Sequence, residues 1–329
     1  MKQILQYLFN HNTLSKAEAK AILIEIAQNK FNENEVTSFA TVFLMRSITL
    51  EELEGFREAL LALSLPVELQ EDDLLDIVGT GGDGKNTFNI STLASFVVAG
   101  TGQKVAKHGN YGVSTISGSS NVLEELGYQF KNKSVDLQRD LDKGDICFLH
   151  APIFHPALKS VAPLRKGLGL RTFFNILGPL VNPAKPKYAL IGVYNLEIAR
   201  IYQYLLQKGS QNFTLVHALD GYDEISLTSD TKLFDKSGEK IYSAEDLGFK
   251  NIVPESIFGG NSKQDSAKIF MDILQGNGTD EQNSVVISNA AMALKTTEKF
   301  GNYEDCLALA KESLESGKAL NCLRQIIND

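Results

Sequence analysis

One glycine-rich segment constrains this sequence more than any other, because it shows where a strand ends and which kind of loop comes next. A short apolar run that ends at Val78 is followed by four glycines within six residues, from Gly79 to Gly84. Glycine adopts positive φ angles and allows close approach to the backbone, so such a loop can direct its N–H groups at an anion. We therefore expect a strand that opens into an anion-binding loop.

The same glycines match the dinucleotide-binding fingerprint, but the residues after them do not. Gly79, Gly81 and Gly84 have the required spacing. The fingerprint also needs a helix that opens within the glycines, and an acidic residue about 20 positions later at the end of the next strand. Here residues 85–89 intervene before any helix, and the next strand ends in Lys107-His108. The sequence therefore argues against a nicotinamide cofactor.

A P-loop is a second partial match. Gly79 and Gly84-Lys85 stand at the spacing of that motif, which needs a Ser or Thr directly after the lysine to hold Mg²⁺. The residue there is Asn86, and no later strand that ends in aspartate is evident. A phosphate cradle of another kind and a purely structural glycine turn remain open.

The residues after the glycines favour the phosphate cradle. Asn89 or Ser91 is placed to cap a helix that begins near Thr92, and a helix N-terminus favours anions. A second polar loop, residues 107–121, follows the next strand and also leads into a capped helix. Two neighbouring strands that each deliver such a loop predict a ligand with two separate phosphate groups.

Capping signals predict that the chain begins with a helical domain. The pairs Ser15/Glu18, Asn32/Glu35 and Thr49/Glu52 have capping-box spacing, and each precedes an apolar run. Pro66 ends this pattern. We expect a small four-helix domain over residues 1–70.

The rest of the sequence, residues 71–329, predicts an α/β domain. Short apolar strands alternate with helical stretches, a hairpin is expected at 232–242, and helices follow from about residue 267. This alternation is typical of a mostly parallel central sheet flanked by helices, in which ligands bind beyond the carboxyl ends of the strands. The predicted strands lie at 77–78, 104–106, 146–149, 189–193 and 213–216.

Composition excludes several classes of partner. The chain has 329 residues and a formal net charge of −8, which argues against nucleic acid or a membrane surface as the main ligand. No apolar run is long enough to span a membrane, and the N-terminal residues lack a secretory apolar core. Cys147, Cys306 and Cys322 show no paired spacing, so disulfides and thiolate metal sites are not expected. We expect a cytoplasmic protein.

Three motifs carry a resemblance to a known family. Residues 79–83 read Gly-Thr-Gly-Gly-Asp, residues 89–92 read Asn-Ile-Ser-Thr, and residues 107–110 read Lys-His-Gly-Asn. Together they resemble the anthranilate phosphoribosyltransferase family, which joins anthranilate to phosphoribosyl pyrophosphate (PRPP) in tryptophan biosynthesis. The resemblance extends over nearly the full length, through the helical front, Arg165–Thr172, Asn175–Pro183 and Asp223-Glu224.

The resemblance implies a set of binding residues and no covalent catalytic nucleophile. Anthranilate is expected at Gly79, Asn110 and Arg165, where the arginine pairs with the carboxylate of the substrate. Two Mg²⁺ ions are expected at Ser91, Asp223 and Glu224. PRPP is expected at Gly79, Gly82, Asp83, Thr87, Asn89, Ile90, Ser91, Thr92, Lys107, His108, Gly109, Asn110, Tyr111, Gly112, Val113, Ser114, Thr115 and Ser119.

The resemblance also bears on assembly and on positions that depart from the pattern. It implies a homodimer, and a helical domain completed by helices from about residues 155–185. Many members have Arg and Asp where this chain has Tyr111 and Asn121, which puts a charged role for these two positions in doubt. His108 and His155 are candidates for lining the channel of the aromatic acceptor. We reject a zinc site at His150 and His155, which have no Cys or acidic neighbours.

Two other functions remain as alternatives. A pyrimidine nucleoside phosphorylase has the same architecture, but its second loop carries a Lys-x-Ser-Gly-Arg-Gly pattern in place of residues 107–110. A non-enzymatic relative that binds nucleic acid would need a basic surface, whereas the net charge here is −8. Both observations favour the transferase.

Overall fold

The chain forms two compact units, each built from two separate stretches of sequence. The computed structural model describes residues 1–112, 116–159 and 161–327. The helical unit comprises Met1–Pro66 and Ala151–Pro183. The α/β unit comprises Val67–His150 and Ala184–Asp329.

The helices and strands alternate as the sequence indicates. The helices are α1 (Lys2–Phe9), α2 (Lys16–Ala27), α3 (Glu33–Met45), α4 (Leu50–Leu63), α5 (Ile90–Ala99), α6 (Ser119–Glu125), α7 (Ser134–Gly144), α8 (Ala151–Phe154), α9 (Ala162–Leu168), α10 (Leu196–Gln207), α11 (Lys263–Leu274), α12 (Asp280–Thr296), α13 (Tyr303–Glu315) and α14 (Lys318–Ile327). The strands are β1 (Leu75–Gly79), β2 (Val105–Gly109), β3 (Ile146–His150), β4 (Tyr188–Gly192), β5 (Asn212–Ala218), β6 (Thr231–Asp235) and β7 (Gly238–Tyr242). Short 3-10 helices lie at Pro156–Lys159, Phe173–Ile176, Gly178–Leu180 and Pro254–Ile257.

The helical unit starts its helices at the predicted caps. The side chains of Ser15, Asn32 and Thr49 each accept a hydrogen bond from the backbone N–H three residues later. The glutamates at those later positions accept in return from the cap N–H groups, so all three capping boxes are confirmed. Each cap satisfies N–H groups that a helix start leaves unpaired, which is worth about 1 kcal/mol.

Aromatic packing closes the helical unit. Phe39, Phe43 and Phe56 lie edge-to-face around one another, and Phe173 stacks on Phe56 with ring centroids 4.5 Å apart. Burial of each such side chain contributes about 1.5–3 kcal/mol. Because Phe173 belongs to the second stretch of sequence, this cluster joins that stretch to α3 and α4.

The α/β unit is built on a seven-stranded sheet in the order β3-β2-β1-β4-β5-β6-β7. Strands β1 to β5 pair in parallel, whereas β6 and β7 form the predicted hairpin and add to β5 in antiparallel fashion. The mostly parallel sheet is therefore confirmed.

Helix α5 lies in the centre of this unit and fixes the position of the loop before it. Nearly all of its residues are buried, and Phe96 contacts Phe148 of β3 and Phe270 of α11. A helix that is apolar all round is stable only inside a core. Its N-terminus, at Ile90, is consequently held at the edge of the sheet.

Two further features concern the chain as a whole. In the part of the chain that the structure describes, no helix is both long and apolar enough to cross a lipid bilayer. Cys147, Cys306 and Cys322 are buried free thiols.

Candidate active site at the carboxyl edge of the sheet

The strand order brings three loops to one edge of the sheet. Strand β1 lies between β2 and β4, and β5 lies beyond β4. These strands are parallel, so the loops that follow them share one edge, and the point between β1 and β4 is where such sheets bind ligands. We call residues 79–89 the glycine loop, residues 107–121 the second loop and residues 219–224 the carboxylate loop.

The glycine loop turns with backbone angles that favour glycine. Gly81, Gly82 and Gly84 have φ of 60°, 75° and 77°. The Gly81 N–H donates a hydrogen bond to Oδ2 of Asp223 at 2.7 Å. A backbone N–H of the predicted anion-binding loop is thus paired with a carboxylate that was predicted to bind metal.

Close contact with the carboxylate loop explains two strand-end glycines. A Cβ atom on Gly79 would lie 2.4 Å from Oδ2 of Asp223, and one on Gly192 would lie 1.6 Å from the carbonyl oxygen of Asp223. Neither distance is sterically possible without a shift of the backbone or the side chain. The ends of β1 and β4 therefore leave room for Asp223 to lie directly over them.

The start of α5 differs from the prediction. The helix begins at Ile90, two residues earlier than the predicted Thr92, and the Asn89 side chain does not cap it. Its amide donates to the carbonyl of Ser117 in the second loop at 3.1 Å. The Ser91 N–H donates to Oε1 of Glu224 at 3.0 Å, so a carboxylate from a distant segment satisfies the helix end.

The end of the glycine loop is fixed to the segment 257–260. Thr87 forms an isolated antiparallel bridge with Phe258, and the Asn86 side-chain amide donates to the carbonyl of Gly260 at 2.8 Å. Further along, the Thr92 hydroxyl is buried with no hydrogen-bond partner among the described residues. Ile90, which was predicted to bind PRPP, is fully buried, and its N–H donates to the carbonyl of Phe88 at 2.7 Å.

The second loop is tied together by its own residues. The Asn110 carbonyl accepts from the Ser119 hydroxyl and from the Ser120 N–H, both at 3.2 Å. A Cβ atom on Gly109 would lie 2.4 Å from Oγ of Ser119, so this loop also folds too tightly for a side chain there.

Tyr111 and Asn121, the two departures from the family pattern, both form hydrogen bonds through uncharged side chains. The Asn121 carbonyl oxygen accepts from the N–H groups of Gly112 and Gly118, each at 3.0 Å. The Tyr111 hydroxyl donates to Oε1 of Glu124 at 2.6 Å. Hydrogen bonding to Glu124 raises the pKa of Tyr111 to about 12, so the phenol stays protonated.

The side chain of Lys107 is buried beneath the loops and does not extend from their surface. It is 2% exposed, and its ammonium donates a hydrogen bond to the Ile77 carbonyl in β1. Burial lowers the pKa of Lys107 to about 8, while Asp76 and Glu224 oppose the shift. His108 is also buried, and its backbone N–H donates to Oδ1 of Asp76 at 3.2 Å. Lys107 therefore contributes positive potential under the site from within the sheet.

The carboxylates at this edge form an electrostatically unbalanced group. Glu224 keeps some contact with solvent. Burial by surrounding protein nevertheless raises its pKa well above the usual value, as do Asp223 and Asp83, and the Ser91 N–H and Lys107 compensate only in part. Clustered carboxylates with this uncompensated charge favour a bound cation.

The donor set fits a magnesium ion shared with a phosphate ligand. Mg²⁺ prefers oxygen ligands and is usually held by one or two carboxylates together with substrate phosphates. Asp223, Glu224 and the Ser91 hydroxyl are oxygen donors on neighbouring segments. No group of three or more His, Cys, Asp or Glu side chains suited to a metal gathers among the described residues. Phosphate oxygens would therefore have to complete the coordination.

Some predicted residues lie outside this description. Val113, Ser114 and Thr115 are outside the described residues, and so is the Arg165 side chain. The backbone of Arg165 lies in α9 of the helical unit.

The histidines at 150 and 155 are packed side chains. His155 is 1% exposed inside the helical unit, where burial lowers its pKa to about 4 against hydrogen bonds with the backbone of Val181 and Leu60. His150 stacks on Phe130 and lies 2.8 Å from the Ser120 hydroxyl in the α/β unit.

Sequence reasoning missed two features of the site. Gly192 is required at the end of β4, and the available signal was a glycine one residue before the end of the predicted strand 189–193. Lys85 lies over the ring of Tyr222, with its ammonium 4.7 Å from the ring centroid. Lys85 and Tyr222 are 137 positions apart in the sequence (222 − 85), so no local sequence pattern links them.

Comparison with known families covers both units. Residues 2–64 match the family described as "Glycosyl transferase family, helical bundle domain". Residues 71–320 match "Glycosyl transferase family, a/b domain".

Individual relatives are similar over nearly their whole length. The anthranilate phosphoribosyltransferase of Flavobacterium psychrophilum is 54% identical over 326 residues, which cover 99% of this chain and 98% of the relative. The crystal structure of the Thermus thermophilus anthranilate phosphoribosyltransferase has a TM-score of 0.92 at 29% identity, with 98% of each chain covered. The Saccharomyces cerevisiae enzyme in complex with PRPP and Mg has a TM-score of 0.90 at 27% identity, covering 98% of this chain and 96% of the other.

Proposed function

This chain belongs to the anthranilate phosphoribosyltransferase family, and we propose that the three loops at the carboxyl edge of its sheet perform the reaction of that family. The enzyme transfers the phosphoribosyl group of PRPP to the amine of anthranilate. The products are N-(5-phosphoribosyl)anthranilate and pyrophosphate. The reaction depends on Mg²⁺ and is the second step of tryptophan synthesis from chorismate.

One observation supports this assignment most strongly. Asp223 accepts a hydrogen bond from the Gly81 N–H, and Glu224 accepts one from the Ser91 N–H. The predicted metal ligands are thus adjacent to backbone N–H groups of the glycine loop and of the start of α5. A substrate that carries pyrophosphate together with Mg²⁺ would satisfy both sets of groups at once.

PRPP would span the two anion loops. The glycine loop and the N-terminus of α5 would take its pyrophosphate, through residues that include Gly82, Asp83 and Thr87. The second loop would take the ribose 5-phosphate through backbone N–H groups and hydroxyls. The buried ammonium of Lys107 would add positive potential from below, since charges act over longer distances where water is excluded.

Two Mg²⁺ ions would complete the site, held by Asp223, Glu224 and the Ser91 hydroxyl. When bound, Mg²⁺ offsets the negative charge that develops on the departing pyrophosphate. The protein residues hold the two carboxylates in place: Gly79 and Gly192 leave room for Asp223, and the start of α5 orients Glu224.

Anthranilate would bind through Gly79, Asn110 and Arg165. A guanidinium group pairs with a carboxylate through two parallel hydrogen bonds, which orients the aromatic ring as well as binding it. We propose that Arg165 makes this pair and that Asn110 contacts the same substrate.

The chemistry would rely on positioning and electrostatics. The C1–oxygen bond of the ribose breaks with oxocarbenium character, and the electron pair leaves with pyrophosphate. The neutral amine of anthranilate attacks C1 from the opposite face with inversion, then loses a proton. Alignment of the two substrates and stabilisation of the developing charges supply the rate enhancement, so no covalent nucleophile is required.

The test is a direct assay of turnover. Purified protein is mixed with PRPP, Mg²⁺ and anthranilate, and the loss of anthranilate fluorescence is followed. We expect turnover that stops on addition of a chelator and returns with excess Mg²⁺. Absence of turnover, or turnover that a chelator leaves unchanged, would contradict the proposal.

We also propose that the enzyme is a cytoplasmic homodimer that associates through its helical unit. Tyr7, Phe9, Leu44 and Met45 are exposed apolar side chains on α1 and α3, two helices that contact each other, and exposed apolar patches mark interaction surfaces. Light scattering should give the mass of two chains, and Met45→Glu should lower it to that of one. A monomeric wild type would rule out the dimer, and cell fractionation tests the compartment.

A further inference from the structure

Three consecutive residues of the carboxylate loop each hold a different point of the glycine loop or of the helix after it. Tyr222 contacts Lys85, Asp223 accepts from Gly81, and Glu224 accepts from Ser91. The two segments are therefore joined in three places, although they lie far apart in sequence.

Two of these three contacts use groups that the proposed substrate and its Mg²⁺ would also engage. On the proposed function, on which this inference rests, the Gly81 and Ser91 N–H groups turn to pyrophosphate and the two carboxylates turn to Mg²⁺. Both hydrogen bonds between the segments then compete with these new partners. A contact that takes no part in this competition would hold the segments in register throughout.

The contact between Lys85 and Tyr222 has the properties needed for this task. The Tyr222 ring is 4% exposed and lies under the Lys85 ammonium, and the distance of 4.7 Å from ammonium to ring centroid is within cation–π range. This contact uses neither a phosphate donor nor a metal ligand. It can therefore remain while its neighbours exchange partners.

Lys85 also lies between the glycine-rich turns of the loop and the part that is hydrogen-bonded to the segment 257–260. Before it, Gly81, Gly82 and Gly84 have positive φ angles. After it, Asn86 is bonded to the segment 257–260 at both its carbonyl and its side chain. A tether at this boundary controls where the glycines lie without restricting their backbone angles.

We propose that Lys85 and Tyr222 form a brace that keeps the glycine loop aligned with Asp223 and Glu224 while these carboxylates release the backbone for Mg²⁺ and pyrophosphate. Lys85 and Tyr222 are thus positioning residues. They set the affinity for the pyrophosphate end of PRPP and do not contact anthranilate.

The test compares variants that remove the brace with variants that keep it. Lys85→Met and Tyr222→Leu remove the cation and the aromatic face, whereas Lys85→Arg and Tyr222→Phe retain them. Binding of inorganic pyrophosphate with Mg²⁺ is measured by calorimetry, and the KM values and kcat are measured in the turnover assay. We expect Lys85→Met and Tyr222→Leu each to weaken pyrophosphate binding and raise the KM for PRPP by about three- to tenfold. The KM for anthranilate should be unchanged, and the retaining variants should behave as wild type.

Two further measurements separate a brace from other roles. The double variant Lys85→Met/Tyr222→Leu should be no worse than either single variant, because both remove one interaction. Replacing residue 222 by phenylalanines with increasing fluorination weakens the face of the ring while keeping its shape, so affinity should fall in steps.

Several outcomes would overturn the brace. If Lys85→Met impairs binding while Tyr222→Leu and the fluorinated rings do not, Lys85 contacts the phosphate directly. If wild type turns over both substrates and all variants bind pyrophosphate alike, the brace is wrong and the proposed function stands. If wild type shows no turnover, the proposed function is wrong, and the brace proposal, which rests on it, is wrong as well.

Discussion

The two anion loops are held in opposite ways. The second loop is tied by its own residues, since Asn110 and Asn121 accept hydrogen bonds from within residues 107–121. The glycine loop is tied to other segments, at Gly81 to Asp223 of the carboxylate loop and at residues 86–88 to the segment 257–260. A loop bonded within itself keeps its shape with or without ligand, whereas the Gly81 end of the glycine loop is held by a carboxylate that the proposed Mg²⁺ also needs. We infer that the 5-phosphate of PRPP binds a loop that is already in its binding conformation. The pyrophosphate would instead bind as the glycine loop and the carboxylates exchange partners.

The largest test of this contrast removes a charge from the carboxylate loop. We expect Glu224→Gln to lower kcat/KM by about 10²–10³-fold, because a preorganised electrostatic group is lost. The same change should raise the thermal midpoint of the metal-free protein, because an uncompensated carboxylate no longer has to be buried. The exposed Glu245→Gln serves as a control that leaves both unchanged. A loss of stability in Glu224→Gln would contradict our account of the charge.

A second test asks whether Arg165 serves anthranilate and leaves PRPP to the two loops. Arg165→Ala should raise the KM for anthranilate by about 10- to 100-fold, since a charged hydrogen-bonded pair is lost. The KM for PRPP should stay near wild type. Arg139→Ala, which removes an exposed arginine paired with Asp136, is the matched control. Equal effects on both KM values would refute the role given to Arg165.

The self-contained character of the second loop is tested at Asn121. Asn121→Ala removes the acceptor of two backbone N–H groups, so we expect the KM for PRPP to rise about tenfold. Asn121→Asp keeps an oxygen at the same place and should restore most of the affinity. If both variants are equally impaired, the amide group itself is required and not merely its acceptor oxygen.

The smallest expected effect concerns Tyr111. Tyr111→Phe removes the hydrogen bond to Glu124 at the partly exposed outer side of the loop. Because other bonds hold the loop, the KM for PRPP should rise only about two- to threefold. The exposed Tyr204→Phe provides the comparison. An effect as large as that of Asn121→Ala would mean that the loop depends on Glu124, outside residues 107–121, and is not self-contained.

Local signals in the sequence predicted the local structure well. The capping boxes at Ser15, Asn32 and Thr49 form as expected, because each depends on residues three positions apart. The strands and the hairpin were found for the same reason, since alternation and turn residues act over a few positions. The mostly parallel sheet then followed from the alternation of strands and helices.

Contacts between distant segments explain what the sequence did not predict. Asn89 and Ser91 are both good capping residues, yet Ser117 and Glu224 compete for them, and the helix starts at Ile90. The sequence also could not predict that the Lys107 ammonium lies against β1, because its partner is a backbone carbonyl of that strand. The residue types were enough to identify the candidate site. The hydrogen bonds within the site join distant segments, so they could be found only from the folded structure.

The glycine that ends β4 has a consequence for how this sequence can change over time. Gly192 offers no functional group, yet the carbonyl oxygen of Asp223 occupies the space of its missing Cβ. Gly79 is confined by the same aspartate. Every residue at position 223 carries that carbonyl, so no substitution there makes room for a side chain at position 192. The space beside Gly79 is filled by the Asp223 side chain instead, so a smaller residue at 223 would open it. Among descendants of this enzyme, position 192 should therefore stay glycine, whereas position 79 can vary only together with position 223.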